Sequence, residues 1–262
     1  HGDLDNITGN SLLSCVALGG PTFFVATKVE VEKNGLEISS GISYSDYTND
    51  HFGELIWGNN LAPGTAVRDR YYLSVSDKSD FSIFSKATFR MSESLQAFLD
   101  MQGRFVNYTT TGLTSNRASI NIDETYNFFN PKLGLTYVFN TNNSAYVSYA
   151  HANKEPNRND FESNGAAVQS ESLNDFELGW RHQGERFSLN ANVYYMQYKN
   201  QLVLTGALDN VGEYLRENVD NSYRLGLELD ARISLSDQIA LNSNLALSQN
   251  KIEALTISRD GG

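Results

Sequence analysis

The chain has 262 residues, of which 40% are hydrophobic and 19% are charged, and its formal net charge at pH 7 is −11. An acidic chain without a cluster of Lys and Arg lacks the surface that binds phosphate, so we expect no nucleic-acid partner. No run of about 18 apolar residues is present, which excludes a membrane-spanning helix but leaves open a transmembrane β-barrel, whose alternating strands give a weak hydropathy signal.

The N-terminal segment, residues 1–22, has no assigned structure, and we expect β-strands from residue 23 to residue 262. The first turn signal is Lys33-Asn34-Gly35, because Asn-Gly strongly favours a tight β-hairpin. Similar short turns recur along the chain and divide it into strands.

A long polar connection is predicted at about residues 46–77, and it contains His51, Glu54 and Trp57. Two potential metal ligands do not make a metal site, so we expect none here. Trp57 either stacks on a ligand or packs against a neighbouring loop, and it is a candidate ligand-binding residue.

Residues 80–91 show the pattern that dominates the chain. Phe81, Ile83 and Phe89 alternate with polar residues. Side chains alternate across a β-strand, so the segment is predicted to be a strand with one apolar and one polar face. The same alternation recurs in residues 187–195, and no segment has a convincing helical period.

Residues 153–161, NKEPNRNDF, follow a predicted strand and should lie near the outer mouth of a barrel. Two interpretations stay open. Arg158 and its neighbours could contact a ligand, with Arg158 as a candidate ligand-binding residue. Alternatively, Glu155 and Asp160 could belong to a salt-bridged network that orders the loop, with Pro156 fixing its entry.

Residues 192–206, NVYYMQYKNQLVLTG, combine a tyrosine cluster with an apolar run. The strand that leads into them is long enough to cross a bilayer, which needs about 9–11 tilted residues. Tyr195 then lies at the lipid interface, where an amphipathic ring is favoured, and Tyr194 and Tyr198 point to the opposite face. The remaining residues continue a tall hairpin with its turn near residues 207–210.

The returning strand of this hairpin carries Tyr214 and Arg216. Strand parity places both side chains inward and near the mouth. They are therefore candidates for binding an anionic or aromatic ligand.

Residues 222–235 form the clearest predicted strand, with Tyr223 and a series of leucines on one face. The other face is polar and would line the lumen of a barrel, where it could contact a plug domain. Its charged members are Arg224, Glu228, Asp230 and Arg232.

Short turns and long connections alternate along about ten predicted strands. This rhythm is typical of an outer-membrane barrel, with short periplasmic turns and long extracellular loops. The long connections are predicted at about 46–77, 109–124, 152–173 and 200–221. A soluble β-sandwich also alternates, but its strands are ordinarily shorter, at about 5–6 residues. We therefore predict an all-β, antiparallel transmembrane barrel.

Several segments together resemble the barrel of TonB-dependent outer-membrane receptors, with the closest likeness to those of Bacteroidetes-type bacteria. The resemblance covers roughly residues 35–252. Its segments are FFNPKLGLTY (128–137), NKEPNRNDF (153–161), ESLNDFELGW (171–180), NVYYMQYKNQLVLTG (192–206), NVGEYLRENV (210–219) and SYRLGLELD (222–230).

The resemblance implies a barrel of about 22 strands, closed by an N-terminal plug domain, in the outer membrane of a Gram-negative bacterium. It implies uptake of a scarce ligand, such as a ferric siderophore or cobalamin, with energy delivered by the TonB complex through the plug. The implied partners are outer-membrane lipid, the TonB complex and a small-molecule or metal-chelate ligand. No cofactor is implied.

The chain departs from the family pattern in two ways. No plug domain precedes the strands, and no final strand ending in an aromatic residue closes the chain. We therefore expect a barrel fragment that lacks the plug and the C-terminal strands.

Two other function classes remain. The first is a surface-exposed β-barrel or β-sandwich that binds or adheres without transport. The second is an outer-membrane hydrolase. The sequence contains no G-x-S-x-G elbow, phosphate-binding loop or H-E-x-x-H motif, so we expect no enzyme.

Overall fold

The computed structural model describes residues 12–19, 22–33, 35–58, 63–208 and 214–253. They form one antiparallel sheet, which confirms the all-β prediction. The total of 22 strands stays a prediction. The strands are β1 (Leu12–Gly19), β2 (Thr22–Lys33), β3 (Leu36–Gly58), β4 (Arg70–Arg90), β5 (Leu95–Leu113), β6 (Ser119–Asn140), β7 (Asn143–Lys154), β8 (Glu171–Gln183), β9 (Phe187–Leu208), β10 (Tyr214–Ser236) and β11 (Ile239–Ile252).

Strands β1 and β2 lie end to end along β3. Gly19 pairs with Asp50 and Thr22 pairs with Tyr47, so both strands keep one register on β3. The sheet therefore has ten strand positions side by side, which agrees with the predicted number. It already includes Leu12–Gly19, so the strands begin earlier than the boundary at residue 23 that the sequence suggested.

The predicted long connections are mostly strand, which corrects the sequence interpretation. β3 continues to Gly58 and β4 begins at Arg70, while only residues 114–118 separate β5 from β6. The tall part of each hairpin lies beyond the lipid, and some of its apolar residues pack against α1 and its neighbours rather than against lipid. It therefore carries only a weak alternation of apolar and polar residues from which a strand could be recognised. The predicted hairpin turn at 207–210 lies partly outside the described residues.

The connection between β7 and β8 contains a helix, α1 (Arg158–Asn164), followed by a 3-10 turn at Gly165–Ala167. The sequence analysis found no convincing helical period, and this short helix was not predicted. Two helical turns are too short to show a 3.6-residue period. The start of α1 is fixed instead by a capping box, in which Asn157 and Asp160 each bond the other's backbone N–H.

No helix in the described part of the chain is long and apolar enough to cross a membrane.

The strand register gives the sheet two chemically different faces. Directly paired residues point to the same side, so each face can be followed from strand to strand. One face, called the apolar face below, carries a continuous set of exposed large side chains. They include Ile42, Phe81, Ile83, Leu99, Met101, Phe105, Phe129, Leu133, Leu135, Val147, Phe176, Leu178, Val193, Tyr195, Leu225, Leu245 and Leu247. An exposed patch of this extent would be unfavourable in water and fits contact with lipid.

Aromatic residues border the apolar face at both ends. Paired rows, Tyr44–Phe81–Phe105 and Tyr149–Phe176–Tyr195, mark the end nearer α1. Phe89, Tyr137, Trp180 and Phe187 lie toward the short turns. Such girdles mark the two membrane interfaces of an outer-membrane barrel, so the strands cross the bilayer between them.

Tyr195 occupies the predicted interfacial position, with its ring 5.8 Å from that of Tyr223. Tyr194 and Tyr198 face the other side, called the polar face below. A Cβ at Gly226 would lie 2.4 Å from the Tyr194 ring, so a larger residue there would displace this ring.

Candidate ligand site

The segment between β7 and β8 folds back over the polar face beyond the membrane. Phe161 of α1 lies 6.1 Å from Tyr108 of β5, measured between ring centroids. Phe161 and Val168 are buried in a small apolar cluster that fixes the segment on β5 and β6. The other members of the cluster are Tyr108, Ile120 and Ile122, with Leu202 of β9 packed against it.

Four charged residues anchor the beginning of this segment. Glu155 accepts hydrogen bonds from Lys78 Nζ at 2.8 Å and from Arg104 Nη1 at 2.7 Å. Arg104 also donates to Asp80, with Nη2 at 2.5 Å from Oδ2. Two cations and two anions thus neutralise each other, and the following Pro156 is fully buried.

The charge on Glu155 is stabilised by its partners. Burial is the largest single influence and raises the pKa of Glu155, but the hydrogen bonds from Arg104 and Lys78 outweigh it and lower the pKa to about 2. The carboxylate therefore stays ionised far below neutral pH.

The end of the segment is held by β9 and β10. Asn218 accepts from the Gln169 backbone N–H at 2.8 Å and donates to the Gln169 carbonyl at 3.0 Å. Asn164 donates to the Arg216 carbonyl at 2.6 Å. Arg216 Nη1 also lies 3.7 Å from Asp160 Oδ1. The segment is therefore fixed at both ends.

A cavity of about 270 Å³ lies between α1, the β5–β6 turn and the start of β10. Its lining is about equally polar, from hydroxyl, amide and carboxylate groups, and apolar, and none of its residues carries a positive charge. The residues are Thr114, Ser115, Asn116, Ala118, Ser119, Ile120, Asn121, Ile122 and Glu124 from β5–β6, Asn159, Phe161, Glu162, Ser163 and Gly165 from α1 and its end, and Tyr214 and Leu215.

The predicted ligand-binding residues occupy different places. Tyr214 lines the cavity and is 66% exposed. Arg216 lies beside α1 as described above. Arg158 is the first residue of α1, and its side chain is only 13% exposed, with Nε 2.5 Å from Glu162 Oε1. Trp57 is at the end of β3, opposite Leu13, and does not line the cavity. The structure thus brings Tyr214, Arg216 and Arg158 to α1 and leaves Trp57 apart.

The four predicted lumen residues share the polar face with α1. Arg224 lies 5.3 Å from the Tyr198 ring centroid. Glu228 and Asp230 pair with Asn192 and Asn190 of β9. Arg232 Nη1 donates to Asn242 at 3.5 Å. All four are exposed on the described sheet.

Sequence reasoning missed the cavity residues of β5–β6, because residues 109–124 were interpreted as a loop. A weak signal was present: Ile120 and Ile122 alternate with Asn121 and Asp123, which is typical of a strand with one buried face. Among the described residues, no three His, Cys, Asp or Glu side chains are arranged to hold a metal ion.

Comparison with protein-family models gives the decisive match. The model described as "TonB dependent receptor-like, beta-barrel" matches residues 18–260. The chain belongs to this family. The TonB-dependent receptor barrel is a barrel of the Gram-negative outer membrane, and the exposed apolar face is the surface that contacts lipid there. The family is one of transport receptors rather than enzymes.

Solved structures share the fold at low sequence identity. The siderophore receptor PiuA from Acinetobacter baumannii has a TM-score of 0.67 and 16% identity, over 92% of this chain and 40% of that chain. The copper transporter OprC has a TM-score of 0.72 and 14% identity, over 88% and 38%. The ferric-catecholate import receptor Fiu from E. coli K12 has a TM-score of 0.61 and 13% identity, over 94% and 44%.

The present chain therefore spans less than half the length of each of these structures. A comparison with curated protein sequences gave no match.

Proposed function

We propose that the chain forms part of a receptor that imports a scarce ligand, such as a ferric siderophore or cobalamin, across the outer membrane by TonB-dependent transport. The observation that carries this proposal is the cavity under α1, which lies on the polar face of a TonB-dependent receptor barrel at the end opposite the short turns. In this proposal that end is extracellular. A concave site of mixed polar and aromatic lining is suited to capturing a small ligand.

The anchored segment supports this role because it holds the cavity in shape before a ligand arrives. Glu155 and Asn218 fix the two ends of the segment, so little ordering entropy is lost on binding. Tyr214 contacts the ligand directly with its exposed ring. Arg216 and Arg158 act as positioning residues for α1, and Trp57 supplies a separate contact at the rim.

The polar face below the cavity has a second role in this proposal. Arg224, Glu228, Asp230 and Arg232 contact a plug domain in the complete receptor, and the plug transmits energy from the TonB complex. PiuA and Fiu are described as receptors for a siderophore and a ferric catecholate. Their fold makes iron chelates the first ligands to test.

The proposal is tested by uptake in cells. A strain lacking the intact receptor is compared with one that expresses it, using radio-iron bound to hydroxamate or catecholate chelators, and labelled cyanocobalamin. We expect accumulation of at least one probe that requires both the receptor and TonB. Surface binding that persists without TonB and never leads to uptake would instead support the binding or adhesion module.

The role of Tyr214 can be measured with the imported probe. Tyr214→Ala should weaken its binding about two- to tenfold, because an aromatic contact contributes about 0.5–1.5 kcal/mol. Tyr137→Ala is the matched control, since Tyr137 is 47% exposed at the opposite end of the barrel. Equal affinities for the two variants would exclude Tyr214 from the site.

A further inference from the structure

We propose that the cavity under α1 admits an uncharged or cationic group rich in hydroxyl or amine donors, and excludes an anionic group. This inference rests on the proposed function only in assuming that the cavity takes part in ligand uptake. It assigns a ligand chemistry to the cavity, which the fold of the family does not determine.

The charges around the cavity carry the argument. Glu124 and Glu162 both line it, and no Lys, Arg or His does. Arg158 is bound to Glu162, Arg216 is directed to Asp160, and Arg117 of the β5–β6 turn donates to the Tyr71 carbonyl. No described cation lies within ion-pair distance of Glu124. The cavity therefore presents a negative potential to an incoming group.

The pKa of a neighbouring tyrosine reflects the same negative potential. Tyr126 lies two residues beyond Glu124 on the same face of β6. Burial first, and then the negative charge of Glu124, raise the pKa of Tyr126 to about 12. A second negative charge placed next to Glu124 would be disfavoured by the same electrostatic repulsion.

The hydrogen-bonding groups point to a ligand that donates. Ionised carboxylates accept hydrogen bonds and cannot donate them. The amide oxygen of Asn116 already accepts from the Thr114 hydroxyl and from Ala118 N–H, so the Glu124 carboxylate is the main acceptor left for a donating ligand. Glu124, which no described cation neutralises, is thus best matched by hydroxyl or ammonium donors.

The size and the aromatic surface fit a small ring or an amine-bearing arm. A volume of about 270 Å³ corresponds to about nine waters at liquid density. The Tyr214 ring can pack against the face of a saturated ring or attract an ammonium group. A neutral or amine-bearing arm of a chelate would enter, whereas an anionic chelate would bring its charge against the Glu124 carboxylate, which has no described cation beside it.

Three sugars of the same shape test this inference on the intact receptor in detergent micelles. Glucosamine is cationic at slightly acidic pH, glucose is neutral and glucuronate is anionic. Saturation-transfer NMR measures the affinity of each, with Tyr214→Ala locating the signal in the cavity. We expect glucosamine to bind most tightly, then glucose, and glucuronate least.

Glu124→Gln should weaken glucosamine about fivefold and leave glucose nearly unchanged, because one partly exposed charge pair is lost. Glu93→Gln is the control, since Glu93 lies in the exposed β4–β5 turn at the other end. The inference is overturned if glucuronate binds as tightly as glucosamine, if none of the three sugars binds, or if Glu124→Gln behaves like the control.

The two proposals fail in different experiments. If the three sugars do not bind in the expected order of affinity but a radio-iron chelate is still taken up, only the charge selectivity of the cavity is excluded. If the sugars bind in the expected order but no probe is taken up in a TonB-dependent way, the cavity chemistry is supported and the transport function is excluded.

Discussion

Glu155 holds the beginning of the segment between β7 and β8 at the mouth of the barrel. Its side chain is only 9% exposed, and it contacts Lys78 and Arg104 on two different strands. A buried charge is tolerated only when partners replace its hydration, which these two cations do. The sequence analysis considered Glu155 for a loop network, but the partners lie 77 and 51 residues away. Spacing along the chain contains no information about such contacts.

Glu155→Gln should release the segment between β7 and β8. The substitution leaves two half-buried cations opposite Asp80 alone, and breaking a buried pair costs about 3–5 kcal/mol. Hydrogen exchange of the intact receptor should show faster exchange in residues 155–170. Glu30→Gln removes the carboxylate of an exposed pair, in which Lys28 and Glu30 are 54% and 70% exposed, and should change nothing. Unchanged exchange in Glu155→Gln would show that the network does not hold the segment.

The titration of Glu155 also makes the stability of this segment depend on pH. The pKa of Glu155 falls from 4.5 to about 2 on folding, so its ionised form stabilises the segment fully above about pH 4.5. That contribution declines as the pH falls through the folded-state value. Hydrogen exchange in residues 155–170 should accelerate between about pH 4.5 and pH 2 in the wild type, after correction for intrinsic rates. Glu155→Gln should lack this step, and a step of equal size in the variant would assign it to another group.

At the scale of elements, the sequence predicted the strand segments that cross the lipid, because apolar and polar residues alternate there. Strand β10 could be recognised because Leu225 and Leu227 face lipid while Arg224 and Glu228 face the lumen. The same parity placed Tyr214 near the mouth, and Tyr214 does line the cavity. Other parts of the cavity could not be predicted, because the tall strands give only a weak alternation and α1 is held by contacts distant in sequence.

Phe161→Ala should detach α1 from β5 and β6. Phe161 is 5% exposed within the apolar cluster, and truncating a buried phenylalanine costs about 3–5 kcal/mol. We expect faster hydrogen exchange in residues 158–168 and loss of glucosamine binding, while the barrel itself stays folded. Phe139→Ala is the matched control, because Phe139 is 59% exposed near the opposite end of the strands. If α1 exchanges equally slowly in both variants, the cluster does not hold it.

At the scale of the whole molecule, the two faces of the sheet define the environment of the protein. The apolar face meets lipid, and the polar face carries α1 and the lumen charges. Among the described strands, β11 is bonded on one side only, as are β1 and β2. Unpaired strand edges are costly in a bilayer, so we expect this sheet to function within a closed barrel.

The assignment of the faces is tested by placing an arginine at two neighbouring positions of β11. Leu245 pairs with Leu229 on the apolar face, and Asn244 pairs with Asp230 on the polar face. Leu245→Arg puts a charge into the hydrocarbon and should cost about 2–4 kcal/mol, whereas Asn244→Arg faces the lumen and should cost little. The fraction of heat-modifiable, folded receptor in isolated outer membranes measures the difference. Equal losses, or a greater loss for Asn244→Arg, would mean that the faces are assigned the wrong way round.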